Sequence, residues 1–564
     1  MHLNDVLTRH GPPFQVTINH CKSSWQYDQS PHPQYYLYAS LAQVSQTISL
    51  SLSLSLSLSL YTNTYRGFAL ESSDMESIRI VKFFKNKSIL VTGSTGFLAK
   101  IFVEKVLRVQ PEVKKLFLLV RAGDAASANR RVQTEILDKD LFKVLKDKHG
   151  DGFHSFVASK LVPLGGDIVQ EDLGIHDSDL RRNLWKEVEV VVNVAATTNF
   201  DERYDVALGI NVLGAKHILE FAKRCVRLQM LLHVSTAYVA GVQSGLILEK
   251  KFLMGETLTG DSYLDIEAEL SLADKKKREL RAEDATEEAE KLAMKELGIN
   301  RAKLFGWPNT YVFTKAMGEM LLGHSRGDLP MVILRPTIIT SVQSDPLPGW
   351  IEGTRTIDSV IIGYAKGKIT CFFGDLDVII DVVPGDMVVN AMMATMAAHS
   401  KQQAEFIYHM GSSVRNPVPY ATLEHCHFRY FLANPRVGRD GSVMPTKRLS
   451  FIKSMVGFRV FMTLRYKLPL EVMHLFNLLS CGRIARGYNE LNRKYKYVMY
   501  LVELYKPYAY FDGCFDDLNM ERLRMAMKKD DAEAKMFDFD PKHIDWEAYF
   551  SSIHIPGVMK YAFK

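Results

Sequence analysis

From Ser88 onward, short apolar runs alternate with longer stretches in which apolar positions recur every three or four residues. The runs SILVTG (88–93), KLFLLVR (115–121), KLVPLGGD (160–167), VEVVVNVAA (188–196), LQMLLHVST (228–236) and PMVILRPT (330–337) predict buried strands. Helices are predicted between most of them; the first, AKIFVEKVLRVQ, is stopped by Pro111. Strands alternating with helices predict an α/β fold with a doubly wound parallel sheet. Residues 261–300 interrupt the rhythm with a charged, helix-prone insert that reads as a solvated face without chemistry of its own. Beyond about Gly411 the alternation fades. Lys447–Tyr488 is apolar and dotted with Arg and Lys, which predicts amphipathic helices, and the tail from Tyr505 reads as a smaller C-terminal domain. The expected division is an extension at 1–74, a reductase-type unit at 75–410, and a mainly helical remainder at 411–564 with its connecting helices.

The extension is unlike the rest. Ser49 to Leu60 is an unbroken Ser-Leu alternation, formally a strand and one with high aggregation risk. A TCTCTC dinucleotide repeat encodes the same alternation, so residues 1–74 are read as a spurious or poorly folding leader, with Met75 as the natural start. The competing reading, an organelle-targeting peptide, is weakened by having only Arg9 and Arg66 as arginines.

Composition narrows the class. With 564 residues, 47% of them apolar, the chain exceeds one ordinary domain and has ample material for a large core. A net charge of +6, with no basic tract interleaved with aromatics, argues against nucleic acid and suits an anionic cofactor, thioester or membrane face. Cys21, Cys225, Cys371, Cys426, Cys481 and Cys514 stand singly, as reduced thiols do. The cluster His425-Cys426-His427 lacks a second ligand pair at zinc spacing, so no metal is expected. No apolar run approaches the ~18 residues of a spanning helix.

The first strand runs into STGFLAK, so Gly93, Gly96 and Ala99 form G-x-x-G-x-x-A at a strand-to-helix turn. Gly93 permits the tight turn, Gly96 lets the backbone approach a pyrophosphate, and the helix N-terminus presents N–H groups to it. This is the phosphate turn of a Rossmann-type sheet, and it places Thr92, Thr95, Phe97 and Leu98 beside the cofactor. The second strand ends at Arg121, not at an acid, and Arg131 follows one helical stretch later; both suit the 2′-phosphate of NADPH. Asp167 and Ile168 after the third strand are placed for the adenine, and Ala195 and Ala196 after the fourth leave it room.

Between the fifth and sixth strands lies Tyr311-Val-Phe-Thr-Lys315. One helical turn separates the two side chains, so the lysine can stabilise a phenolate whose reference pKa is near about 10. The fifth strand ends in Ser235-Thr236, hydroxyls able to polarise a substrate carbonyl, with Thr236 preferred over Ser235. This layout resembles the extended short-chain dehydrogenase/reductase superfamily.

Longer stretches narrow the resemblance. VNVAATTNFDERYD (192–205), GWPNTYVFTKAMGEM (306–320), LRPTIITS (334–341) and PGWIEGTRTIDSVI (348–361) are similar to plant alcohol-forming fatty acyl-CoA reductases, as are YKPYAYFDGCFDDLN (505–519) and DWEAYFSSIHIPGVMKY (545–561). The resemblance covers Met75 to Lys564. It implies catalytic roles for Tyr311 and Lys315 with Thr236 or Ser235, NADPH as reductant, and a long-chain acyl-CoA reduced through an aldehyde to an alcohol of the wax or suberin type. The expected setting is the cytosolic face of the endoplasmic reticulum with peripheral membrane contact, or a plastid were residues 1–74 a transit peptide. The apolar segment around Phe451–Leu479 either covers the acyl chain, lies on the membrane, or packs as ordinary buried helix.

Overall fold

In the computed structural model the described residues are 78–563, apart from 355, 439–440, 480–484 and 528–530. The Ser-Leu repeat and the rest of the 1–74 extension lie outside them.

Seven strands form the central sheet: β1 (Ser88–Thr92), β2 (Lys115–Val120), β3 (Leu161–Gly165), β4 (Val190–Asn193), β5 (Met230–Val234), β6 (Met331–Pro336) and β7 (Glu405–Met410). All neighbours pair in parallel, in the order β7-β6-β5-β4-β1-β2-β3. This is the doubly wound, Rossmann-type sheet expected from the alternation, with its order reversing between β1 and β4. Leu90, Val191, Leu231 and Met331 occupy one register row across four strands and belong to one buried apolar cluster. That cluster includes Ile218, Leu219 and Phe221 of helix Gly214–Arg224. The strand-to-helix alternation is therefore also an alternation of faces.

Helix α1 (Phe97–Val109) follows β1 and packs beside helix Gly385–Ala398. Helix α2 (Thr310–Ser325) lies against Gly214–Arg224 and the turn at Leu208–Leu213. Its approach there is close: a Cβ on Gly318 would stand 2.4 Å from the Asn211 carbonyl oxygen. The charged insert forms two helices, Ile266–Ala282 and Glu287–Leu304. Its outer residues are solvated as expected, but Glu269 is buried, receiving the Tyr204 hydroxyl at 2.7 Å and an ion pair from Arg301.

The C-terminal residues return to the sheet domain at several points. Strand Gly513–Phe515 pairs in parallel with Gly245–Ile247, and Ser450–Ile452 pairs with Cys371–Phe373. Helix α3 (Ala485–Ala509) carries Tyr505 and Tyr508 to the carboxyl end of the sheet. Near the chain end, Tyr549 reaches Thr340 at 2.7 Å and His554 reaches Ser341 at 3.1 Å.

Candidate active site

β1 ends where its chain must turn without a side chain. Gly93 has φ +63°, and a Cβ there would lie 2.7 Å from the Ala195 nitrogen. Backbone cannot yield to such an overlap, so glycine is what allows the β1 turn to touch the end of β4. The Gly96 N–H closes the turn on the Gly93 carbonyl at 2.8 Å, and Gly96 starts α1 with no side-chain cap. The first N–H groups of a helix have no intrahelical partner, so here they and the dipole remain for an anion.

Around this turn the strand ends build a cavity of about 710 Å³. Thr92, Gly93, Thr95, Gly96, Phe97, Leu98, Arg121, Arg131, Asp167, Ile168 and Ala195 line it, as do Ser235, Thr236, Tyr311 and Lys315. One space therefore receives the site residues named from the sequence, except Ala99, which is buried in α1. Arg121 is exposed just past β2, and Arg131 donates to its carbonyl at 2.7 Å while pairing with Glu135 at 2.6 Å. The glycine turn, the uncapped helix and the arginine rim fit a phosphate-bearing dinucleotide.

Ser235 and Thr236 leave β5 held by a bond from Ser235 N–H to the Leu334 carbonyl at 2.7 Å. Thr236 accepts from the Tyr238 N–H at 3.3 Å, which leaves its own proton to donate. The Ser235 hydroxyl is buried and has no hydrogen-bond partner among the described residues. Asn309 caps α2 by accepting from the Val312 N–H at 3.1 Å, setting Tyr311 and Lys315 one turn apart on the same helix face. Lys315 is fully buried and donates to the Val234 carbonyl at 2.9 Å. Burial holds its pKa down at about 8, with Glu319 opposing the shift.

The sequence reading did not name the residues that finish the site. Phe200 stacks on Tyr311 with ring centroids 6.0 Å apart and planes 7° from parallel. Tyr505 and Tyr508 of α3 meet Phe200 at 5.7 and 5.4 Å, and Tyr238 meets Tyr508 at 5.3 Å. Burial pushes the Tyr238 and Tyr508 hydroxyls well up in pKa, so both stay neutral. Beyond this aromatic ring the cavity continues between Val360, Phe372, Phe451 and Leu504. The polar end thus suits a dinucleotide and carbonyl, and the apolar end a hydrocarbon.

Comparison with known proteins agrees with this arrangement. The NAD-binding model of the male sterility protein family matches residues 91–392, and that family's Sterile model matches 465–564. Fatty acyl-CoA reductase 1 of Arabidopsis thaliana is 51% identical over 87% of this chain and 100% of its own length. The alcohol-forming fatty acyl-CoA reductase of Simmondsia chinensis is 50% identical over 86% of this chain and 98% of its own. Among solved structures, the reductase domain of a nonribosomal peptide synthetase from Mycobacterium tuberculosis has the same fold. Its TM-score is 0.52 at 17% identity, over 86% of this chain and 96% of that one.

Proposed function

Since the chain belongs to the male sterility family of fatty acyl-CoA reductases, we propose that it reduces long-chain acyl-CoA to primary fatty alcohol with NADPH. The observation that carries the reading is the continuity of the cavity. A phosphate turn, two hydroxyls and the Tyr311–Lys315 pair open directly into an aromatic and aliphatic arm.

Two molecules of NADPH, bound in succession, would supply the hydrides, one to the thioester carbonyl carbon and one to the aldehyde. Arg121 and Arg131 would hold its 2′-phosphate, and the α1 N-terminus its pyrophosphate. The hydroxyl of Thr236, or that of Ser235, donates to the carbonyl oxygen and stabilises the negative charge that develops there. Collapse of the hemithioacetal breaks the C–S bond and releases CoA as its thiol. In the second reduction Tyr311 gives its phenolic proton to the alkoxide, and Lys315 as ammonium stabilises the phenolate left behind. The acyl chain runs past Tyr505 toward Phe451, where burying each methylene contributes about 0.8 kcal/mol.

A second surface bears on where this substrate is met. Along the helical residues 455–479, Val456, Val460, Leu464, Leu468, Val472 and Phe476 recur every four positions, all exposed. From Lys447 to Lys496 the chain carries eleven Lys or Arg against Glu471 and Glu490. An apolar stripe among basic residues suits the interface of an anionic lipid layer. No helix among the described residues is long and apolar enough to cross a membrane, so the contact proposed is peripheral.

The test is expression of the full chain in yeast, with gas chromatography of products from saturated acyl-CoA substrates and NADPH or NADH. Primary alcohol formed with NADPH, lost in Tyr311→Phe, is the expected result. Aldehyde as the end product, or a Tyr311→Phe variant with near-normal turnover, would overturn it. In Arg121→Ala the KM for NADPH should rise while that for NADH does not.

A further inference from the structure

β1, β4 and β5 are apolar strands that each carry one polar residue at or near their carboxyl ends. Thr92 is in register with Asn193, and Asn193 with His233. Each therefore sits two positions beyond the apolar row Leu90, Val191, Leu231, on the same face. All three are buried, as is Lys315, which approaches the row from α2. An unbonded polar group at such depth is costly, and here each one has a partner. The Ala195 N–H donates to Thr92 Oγ1 at 3.3 Å, and Thr92 donates to Asn193 Oδ1 at 2.6 Å. Asn193 Nδ2 lies 2.9 Å from His233 Nδ1, and His233 Nε2 lies 3.0 Å from Lys315 Nζ.

The chain has a direction. With Asn193 Oδ1 turned to Thr92, its amide must donate to Nδ1, so the neutral imidazole carries its proton on Nε2. That proton faces Nζ. The contact is a hydrogen bond only while Nζ offers a lone pair, as an amine does and an ammonium does not. An ammonium requires the other tautomer, with Nδ1–H donating to an Asn193 amide turned end for end and Thr92 accepting from it. The two states differ by one proton, taken up at Nζ.

We infer that His233 is a positioning residue whose tautomer, fixed by Asn193 and Thr92, sets the proton affinity of Lys315. The inference rests on the catalytic reading of Tyr311 and Lys315 and deepens it. Besides His233 on β5, the charged group that acts on Nζ is Glu319 on its own helix, paired by Arg335 of β6, and Tyr311 stands one turn before it. Arg335 engages both oxygens of that carboxylate, so Glu319 contributes a steady field while the row supplies the part that can switch. With Asn193 oriented this way, the row opposes the ammonium, the form that supports Tyr311.

The test is the alkaline limb of kcat/KM against pH for acyl-CoA reduction, which reports the free enzyme, recorded beside NADPH affinity over the same pH range by fluorescence. Asn193→Asp forces Nδ1–H and should move the limb to higher pH, to a proton concentration tenfold or more lower. His233→Gln, which can turn its carbonyl to Nζ, should move it the same way and keep measurable activity. Thr92→Val frees Asn193 to turn and should give a smaller shift in the same direction. The combined variant separates tautomer from plain charge: in the His233→Gln background the Asn193→Asp shift should shrink to less than half. A persistent shift there would overturn the inference, as would superimposable pH profiles. If a variant folds too poorly to assay, Thr92→Val and the NADPH-affinity profile carry the same decision. Tyr311→Phe distinguishes the two readings. Retained activity would remove the catalytic reading, whereas a dead Tyr311→Phe with unmoved limbs would remove the role of His233 alone.

Discussion

Asn309 joins two helices distant in sequence: its Oδ1 starts α2 by accepting from Val312, and its Nδ2 donates to the Tyr508 hydroxyl of α3 at 2.8 Å. The helix of Tyr311 and Lys315 and the aromatic wall over Tyr311 are thus positioned by one side chain. Tyr508→Phe keeps the ring and loses the acceptor. One hydrogen bond of ~1 kcal/mol corresponds to about a fivefold effect, and it should appear in KM for acyl-CoA with kcat nearly unchanged. Asn309→Ala should add the loss of a helix cap, ~1 kcal/mol of stability, measurable as a lower melting temperature. A collapse of kcat in Tyr508→Phe would instead place its hydroxyl in the proton transfer.

The strands were legible because each is a compact apolar run between turn residues, and six lie where the alternation put them. All six were read too long on the cavity side, and four also began one or two residues early. Gly93, Arg121, Asp167, Ala195 and Thr236 all fall beyond the last paired residue, because the chain leaves the sheet there to make room for ligand. β7 was not anticipated: EFIYHM carries a charge and a histidine at an edge position and lacks the uniform apolar signal of a central strand. The row Thr92, Asn193, His233 was missed because it joins three strands through their register, and register between strands leaves no mark in the local sequence. Phe200 meets Tyr311, and Tyr505 and Tyr508 meet Phe200, across long stretches of chain, and local periodicity carries no trace of such contacts. Glu269 shows the same limit, a charge in a charged run whose burial depends on the neighbouring helix.

His409 on β7 makes the fold acid-sensitive. Its Nδ1 donates to the Asp516 carbonyl at 2.9 Å, and burial, with Arg335 close by, holds its pKa down at about 3. An unfolded histidine titrates near about 6.5. Between those values the unfolded chain binds a proton that the folded one refuses, so this residue's share of stability is lost as pH falls below 6.5. At pH 5 the loss is about 2 kcal/mol. Glu104, raised to about 7 by burial, acts in the opposite sense, so the wild type alone is not diagnostic. The difference between wild type and His409→Gln cancels that contribution. Urea unfolding at pH 7 and pH 5 should show the variant gaining about 2 kcal/mol on the wild type at the lower pH. An equal offset at both pH values would mean that His409 is charged in the folded state.

The exposed stripe on residues 455–479 invites the most direct physical test. Leu475 and Phe476 are 59% and 61% exposed, and Leu479 is 81% exposed, far more apolar side chain than a surface helix ordinarily leaves in water. Arg465 and Lys467 stand exposed among them, each able to add ~1 kcal/mol near an anionic headgroup layer. The full chain should therefore float with vesicles containing phosphatidylserine, float less with phosphatidylcholine alone, and be released in part by salt. Leu475→Glu with Phe476→Glu should leave it in the soluble fraction without lowering kcat on a short, soluble acyl-CoA, because neither residue lines the cavity that holds Tyr311 and Lys315. Salt-insensitive flotation of that double variant would dismiss the lipid contact. A concentration-dependent dimer broken by the same pair would give the stripe to a second copy of the chain.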